Sequence, residues 1–141
     1  MTVSLACDHA GFPLKAVVMA LLQERGITVL DFGTDSAASV DYPDFAHPAA
    51  RAVASGAANL GILLCGSGNG VAITANKHPE IRAALCWNAE IAAMARAHND
   101  ANMLALPARY LSAEEAIQIL DSFLSTSFEG GRHAMRVGKI S

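Results

Sequence analysis

The chain has 141 residues, a formal net charge of −3 and 52% hydrophobic residues, with aromatics only 6% of the whole. That is one domain's worth of core, too short for two ordinary domains and too apolar for a disordered chain. Charged residues make up 16%, against roughly 25% in soluble domains, and the balance leaves no basic field for a nucleic acid.

Strand and helix patterns alternate from end to end. Thr2–Cys7 is a short apolar run closed by Asp8, His9, Ala10 and Gly11. Pro13 suits the first turn of a helix, where a missing N–H costs nothing. Leu14, Val17, Val18, Leu21 and Leu22 then follow the helical period, and Gly26 stops it. A second strand is predicted over 27–32, a polar loop over 33–41 and a second helix over 44–55. Leu60–Cys65 reads as a strand buried on both faces, because the run is continuously apolar. The turn Gly66-Ser67-Gly68-Asn69-Gly70 opens a short helix reaching about residue 77. A fourth strand is predicted over 82–87. Asn88 caps a helix that carries Ile91, Met94 and Ala95 on one face. The fifth strand is Met103–Pro107, and Ser112 with Glu115 spells a capping box ahead of Ala116, Ile117, Leu120, Phe123 and Leu124. The tail over 130–140 has room for one more short helix. Residues 52–76 carry no charge, but five glycines break them up too often for a membrane span.

These elements imply a single-domain α/β fold over 1–141: a doubly wound, Rossmann-like five-stranded parallel sheet in three layers, ordered 2-1-3-4-5. Such sheets bind ligands beyond the carboxyl ends of the strands, where the strand order reverses. That rule selects Asp8 and His9 after the first strand, and Cys65 to Gly70 after the third. The glycines let backbone N–H groups approach a phosphate or a developing oxyanion. The segment is neither a dinucleotide fingerprint nor a Walker loop. Cys65 precedes a helix N-terminus, a setting that favours thiolate over thiol; Cys7 and Cys86 read as packed core thiols. No cysteine pairing framework is present, which suits reduced thiols in a cytoplasm, and the N-terminus has no basic, apolar leader. His98 falls on the face of Ile91, Met94 and Ala95, and Asn99 and Asp100 read as the stop of that helix. Arg132 and Arg136 are four apart with His133 between them, fitting either a solvated tail or a two-pronged phosphate clamp.

Seven segments in register resemble the B-type ribose-5-phosphate isomerases, in the sugar-phosphate isomerase family that also holds galactose-6-phosphate isomerase subunits. They begin at Cys7, Asp41, Ile62, Ala75, Ile81, Ala97 and Glu129, and they span essentially the whole chain. The resemblance implies an aldose–ketose isomerase of a phosphorylated sugar that uses no metal and no organic cofactor. It implies Cys65 as the base between C1 and C2, with Ser67 beside it and His98 opening the sugar ring. Arg132 and Arg136 would hold the phosphate, helped by Arg109 and His9. Asp8, Tyr42 and Asn99 would meet sugar hydroxyls, and Gly66, Gly68, Asn69 and Gly70 would form the anion loop. Many relatives have threonine where this chain has Ser67. Another branch replaces the cysteine by a glutamate just after the loop, where Val71 stands here.

His98 precedes the last strand and so belongs near the amino ends, whereas Cys65 sits at a carboxyl end. A strand length of roughly 17–20 Å separates the two edges. The expected partner is therefore a second copy: a homodimer with shared sites, able to assemble further as a dimer of dimers, with no nucleic acid and no membrane. The competing expectations are an isomerase of a tetrose, allose or galactose phosphate, and a non-catalytic sugar-phosphate sensor.

Overall fold

A computed structural model of the protein describes residues 1–140. Ser141, the end of the predicted domain and tail, lies outside the described residues. The elements run β1 (Thr2–Cys7), α1 (Phe12–Glu24), β2 (Thr28–Asp31), α2 (Pro43–Ala54), β3 (Leu60–Cys65) and α3 (Asn69–Ala75). They continue with β4 (Ala83–Leu85), α4 (Ala89–Asn99), β5 (Met103–Pro107), a 3-10 turn at Ala108–Tyr110, α5 (Ala113–Ser125) and α6 (Arg132–Val137). All strand pairs are parallel, in the order β2-β1-β3-β5-β4. The doubly wound three-layer sandwich is as expected.

The last two strands sit the other way round from the predicted 2-1-3-4-5. β5 pairs with β3, and β4 takes the edge. Composition explains the exchange. Every residue of β5 is buried, whereas β4 is three half-buried residues. A short, part-exposed strand belongs at an edge, and an all-apolar one belongs inside. The exchange also moves α4. A right-handed return from β4 to β5 runs back across the sheet, so α4 lands on the face of α1 and α5 rather than beside α3.

Each face has its own core. Leu5, Val18, Leu22, Ile62, Leu104, Ile119, Leu120 and Phe123 fill the α1/α4/α5 side. The α2/α3 side is built from small residues, among them Ala46, Ala49, Ala50, Ala75 and Ala105. Small side chains bring α2 close to the sheet, and Ser4 Oγ donates to the Ala49 carbonyl at 3.0 Å. A Cβ on Gly61 would stand 2.5 Å from Met103 Cε and 2.7 Å from that same Ser4 hydroxyl, so a larger residue would have to displace both. The caps are as read from sequence. Asn88 accepts from the Ile91 N–H at 2.9 Å, and Ser112 and Glu115 exchange bonds of 3.0 and 3.1 Å. Those bonds hold the Glu115 carboxyl below its ordinary range.

Two thiols belong to the core. Burial pushes Cys7 up to about 11 and Cys86 up to about 12, from 9.0. A thiol that ionises more readily unfolded than folded favours unfolding above its unfolded value. The stability these sites contribute is therefore complete below pH 9.0 and falls as pH climbs toward about 11 and about 12. The slope is about 1.4 kcal/mol per pH unit for each thiol. Urea midpoints from pH 8 upward should show Cys86→Ala with a shallower alkaline decline than the parent; parallel declines would remove Cys86 as a cause.

Candidate active site

Parallel strands gather their outgoing turns at one edge, and there the structure places ten of the predicted site residues. Cys7 lies level with Leu64, and Cys65 with Pro107, so Asp8, the Gly66–Gly70 turn and Arg109 leave the sheet side by side. Cys65 is 4% exposed, at the mouth of the crevice between β1 and β5. Gly68 enters α3 with a left-handed φ of 77°. That φ favours glycine, and a Cβ there would also press on Leu85 Cδ1. The Ser67 hydroxyl turns back over the loop, accepting from Asn69 N at 3.3 Å and Asn69 Nδ2 at 3.1 Å. The Arg109 N–H donates to the Gly66 carbonyl at 3.0 Å, and its guanidinium lies over Gly66, where a Cβ would come within 3.2 Å of Nη1. The Tyr42 ring covers Gly70 so closely that a Cβ would meet it at 2.6 Å.

Asp8 serves the backbone first. Its Oδ1 accepts from the N–H groups of Ala10 and Gly11, at 2.9 and 3.0 Å, and the side chain is 6% exposed. This fixes the turn that aims His9. The His9 Nδ1 in turn accepts from Val40 N at 3.2 Å, tying down the far end of the 33–41 loop. The near end is held by Lys15, which sequence reasoning missed. Its ammonium is buried, 2.6 Å from Asp31 Oδ1, and donates to the Thr34 carbonyl at 2.9 Å. A lysine on an amphipathic helix reads as a solvated residue, and nothing in the spacing marks this one as buried.

The other four predicted residues are not brought to this edge. His98 and Asn99 close α4, and Arg132 and Arg136 stand exposed on α6, beside the amino ends of the strands. The turn behind them is braced. Arg82 donates to the Asn99 carbonyl at 3.1 Å and to the Asp100 carbonyl at 2.9 Å, and Arg96 pairs with Asp100 Oδ1 at 3.1 Å. Glu129 N donates to the Ala97 carbonyl at 3.0 Å, fastening α6 to α4. The His98 and His133 rings stack at 4.2 Å with 9° between their planes. Glu129 faces both, and the ligating atoms of the three lie within 4.8 Å of one another. They have the chemistry of a metal set, but parallel rings cannot aim in-plane lone pairs at one ion. Glu129 stands ahead of α6, and sequence reasoning missed its approach to His133.

Fold and site define a doubly wound α/β protein with a small-molecule crevice at the β1/β3 switch point. A family model described as Ribose/Galactose Isomerase matches residues 3–140. The chain belongs to that family. It is 45% identical to the ribose-5-phosphate isomerase B of Escherichia coli, over 99% of this chain and 93% of that protein. It is equally close, at 45%, to a putative sugar phosphate isomerase of Rickettsia bellii, over 96% of this chain and 94% of that one. Among solved structures, the Clostridium thermocellum ribose-5-phosphate isomerase B superposes with a TM-score of 0.98 at 50% identity, covering 99% of this chain and 95% of that one. The Mycoplasma genitalium ribose-5-phosphate isomerase B, solved with bound ribulose-5-phosphate, gives 0.95 at 42% identity, covering 99% and 93%.

Lys15 should be the weak point of the substrate-side loop. Lys15→Met leaves Asp31 and the Thr34 carbonyl without their cation, at a cost of about 1–3 kcal/mol since Asp31 keeps some solvent. Urea midpoints measure the cost. Proteolytic nicking within 33–41 should rise faster than cleavage elsewhere, and uniform cleavage would show that Lys15 does not hold the loop.

Proposed function

We propose that the protein is an aldose–ketose isomerase of a phosphorylated sugar, interconverting ribose 5-phosphate and ribulose 5-phosphate. One observation carries this reading. A buried thiol stands at the switch point between a glycine turn and Arg109, in a chain that matches ribose-5-phosphate isomerase B proteins from end to end.

Cys65 takes the proton from C2 of the open-chain aldose, and the electron pair moves onto the carbonyl oxygen to give an enediolate. Backbone N–H groups of the Gly66–Gly70 turn stabilise the charge, and Ser67 supplies a hydroxyl beside the reacting oxygens. The C2 hydroxyl proton passes to the C1 oxygen, and Cys65 returns its proton to C1, leaving the C2 carbonyl of the ketose. A positioned base contributes on the order of 10² to 10⁴-fold. Asp8, Tyr42 and Asn99 orient the sugar hydroxyls. Val71 is buried behind the loop, leaving no carboxylate to replace the thiol.

His98 opens the furanose ring, and Arg132 and Arg136 grip the phosphate, with His9 and Arg109 from the other edge. These groups occupy opposite edges of one sheet, so the working unit is a homodimer whose sites each take one edge from each copy. A phosphate bound by forked guanidinium groups gives remote binding energy and orientation to a small substrate. The whole chain acts as one unit in this scheme. None of its described helices is long and apolar enough to cross a membrane, and three unpaired cysteines suit the reducing cytoplasm where we place it.

A mixing experiment tests both halves. Cys65→Ala and His98→Ala should each be nearly inactive alone. Unfolded together and refolded, they should recover about a quarter of parental turnover, since half the dimers are hybrids and each hybrid has one intact site. Recovery that never exceeds the separate variants would rule out shared sites. Assays of the parent on ribose, allose, galactose and erythrose phosphates fix the substrate; binding without turnover on all of them would replace the enzyme by a sensor.

A further inference from the structure

Two histidines outside the site meet in a direct hydrogen bond. His47, on the second turn of α2, brings its Nδ1 to 2.8 Å from Nε2 of His78, which follows α3. The rings cross at 62° rather than stack. The α2/α3 face is otherwise packed with small apolar side chains such as Ala46, Ala50, Ala72 and Ala75. Among the described residues, this is the one side-chain hydrogen bond between α2 and residues 69–81. It closes a ring of contacts that ends on the anion loop. The Tyr42 carbonyl accepts from the N–H groups of Phe45 and Ala46, at 3.2 and 2.9 Å, so Tyr42 moves with the first turn of α2. His78 N donates to the Ala75 carbonyl at 3.1 Å, and Thr74 Oγ1 donates to the Gly70 carbonyl at 2.7 Å, so both ends of this path belong to α3. Gly70 in turn lies under the Tyr42 ring. Fixing His47 on His78 therefore fixes α2 on α3, and with it the Tyr42 ring on the loop.

We propose that His47 and His78 are a positioning pair for Tyr42, holding its ring on the anion loop while one of the two facing nitrogens keeps its lone pair and releasing it when both rings are fully protonated. The pair stands on the geometry alone; its effect on the sugar deepens the role proposed for Tyr42 and rests on it. A hydrogen bond between two ring nitrogens needs one donor and one lone pair. Two neutral rings meet that need, and so do one neutral ring and one cation. Two cations cannot: their N–H groups would point at each other, and like charges would face at hydrogen-bond distance. The surroundings oppose that second proton. Burial, then His47, then Arg51 one turn along α2 push His78 below its ordinary 6.5, while Glu80 pulls the other way. Helix α3 carries no charged side chain, Lys77 beside His78 is exposed, and Arg82, on the cavity that His78 lines, is paired with Asp100. His78 binds a proton more readily unfolded than folded. The contribution of the pair is therefore complete above pH 6.5 and lost as pH falls through the folded value.

The test compares the parent with variants that keep the hydrogen bond but cannot titrate. His78→Gln places an amide near the Nε2 position, and His47→Asn places one near Nδ1. Near pH 7.5, all three proteins should turn over ribose 5-phosphate within about twofold of one another. As pH falls to about 5, KM of the parent relative to His78→Gln should rise about 2 to 10-fold with kcat nearly unchanged, the loss of one positioning bond. His47→Asn, which removes the second charge, should flatten the profile in the same way. Carbon-13 NMR of the imidazoles and of the Tyr42 ring reads the pair without any assay. In the parent, the Tyr42 signals should shift with the midpoint of His78, below 6.5, and in His78→Gln they should stay fixed. Parallel KM profiles in parent and His78→Gln, or Tyr42 signals that do not follow His78, would each overturn the proposal. A variant that failed to fold would leave the parent's own titration to decide. A parent that turns over no sugar phosphate would sink the reading of the site, while the NMR titration would still decide the pair.

Discussion

A parallel sheet has polarity, and that constraint governs the rest of this molecule. Every strand points the same way, so the turns leaving strands collect at one edge and the turns entering them collect at the other. Cys65, Asp8 and Arg109 follow strands; His98 and Asn99 precede one. No rearrangement of side chains can bring these sets together along the length of the strands. The separation is a consequence of backbone direction, and the order of the strands does not alter it. What the strand order does alter is the face that carries α4. With β4 at the edge, α4 returns beside α5 and offers its last turn to α6, which is how His98 comes to lie against His133.

The alanine content serves the same architecture. On the α2/α3 face, alanines and Gly61 let helix and sheet approach until backbone carbonyls accept from buried hydroxyls, as Ala49 does from Ser4. Close packing of small groups leaves little freedom for adjustment. The crevice edge inherits that rigidity. Gly68 and Gly70 sit under Leu85 and Tyr42 with no space for a methyl group, so the loop around Cys65 is held by its neighbours rather than by flexible contacts. A rigid loop suits N–H groups that must meet a developing charge without reorganising first.

How legible this was depends on whether a feature is local. The strand at Leu60–Cys65, the caps at Asn88 and Ser112, and the glycine turn are written in neighbouring residues, and each is found where its pattern predicts. The place of Cys65 at a strand end followed from the same local reading. The exchange of β4 and β5 was not visible, because strand order depends on comparing burial among strands far apart in sequence. Lys15 escaped for a related reason. Leu14, Val17, Val18, Leu21 and Leu22 describe a helix stripe well, but the loop carbonyl and the Asp31 carboxylate that bury Lys15 come from another part of the chain. Arg132 and Arg136 were legible as a pair. Their position at the edge opposite Cys65 followed from the packing of α6 on α4, which no spacing encodes.

Three thiols in one small chain also show how the fold chooses among equal chemical groups. Cys7 and Cys65 both end strands, and both are almost wholly buried. Cys7 is followed by Asp8, whose carboxylate is turned inward to bind the N–H groups of Ala10 and Gly11. The donors at that turn are thus already satisfied, and burial holds the thiol protonated, up to about 11. Cys86 lies against the α1/α4/α5 core with still fewer polar neighbours, up to about 12. The turn after Cys65 is different in kind. Its glycines carry no inward carboxylate, and a guanidinium lies over Gly66. Burial alone makes Cys7 and Cys86 packed core thiols, whereas Cys65 is buried at the foot of a turn that carries a cation. Among the described residues, Cys65 is the one cysteine whose strand runs straight into a glycine turn with a guanidinium over it.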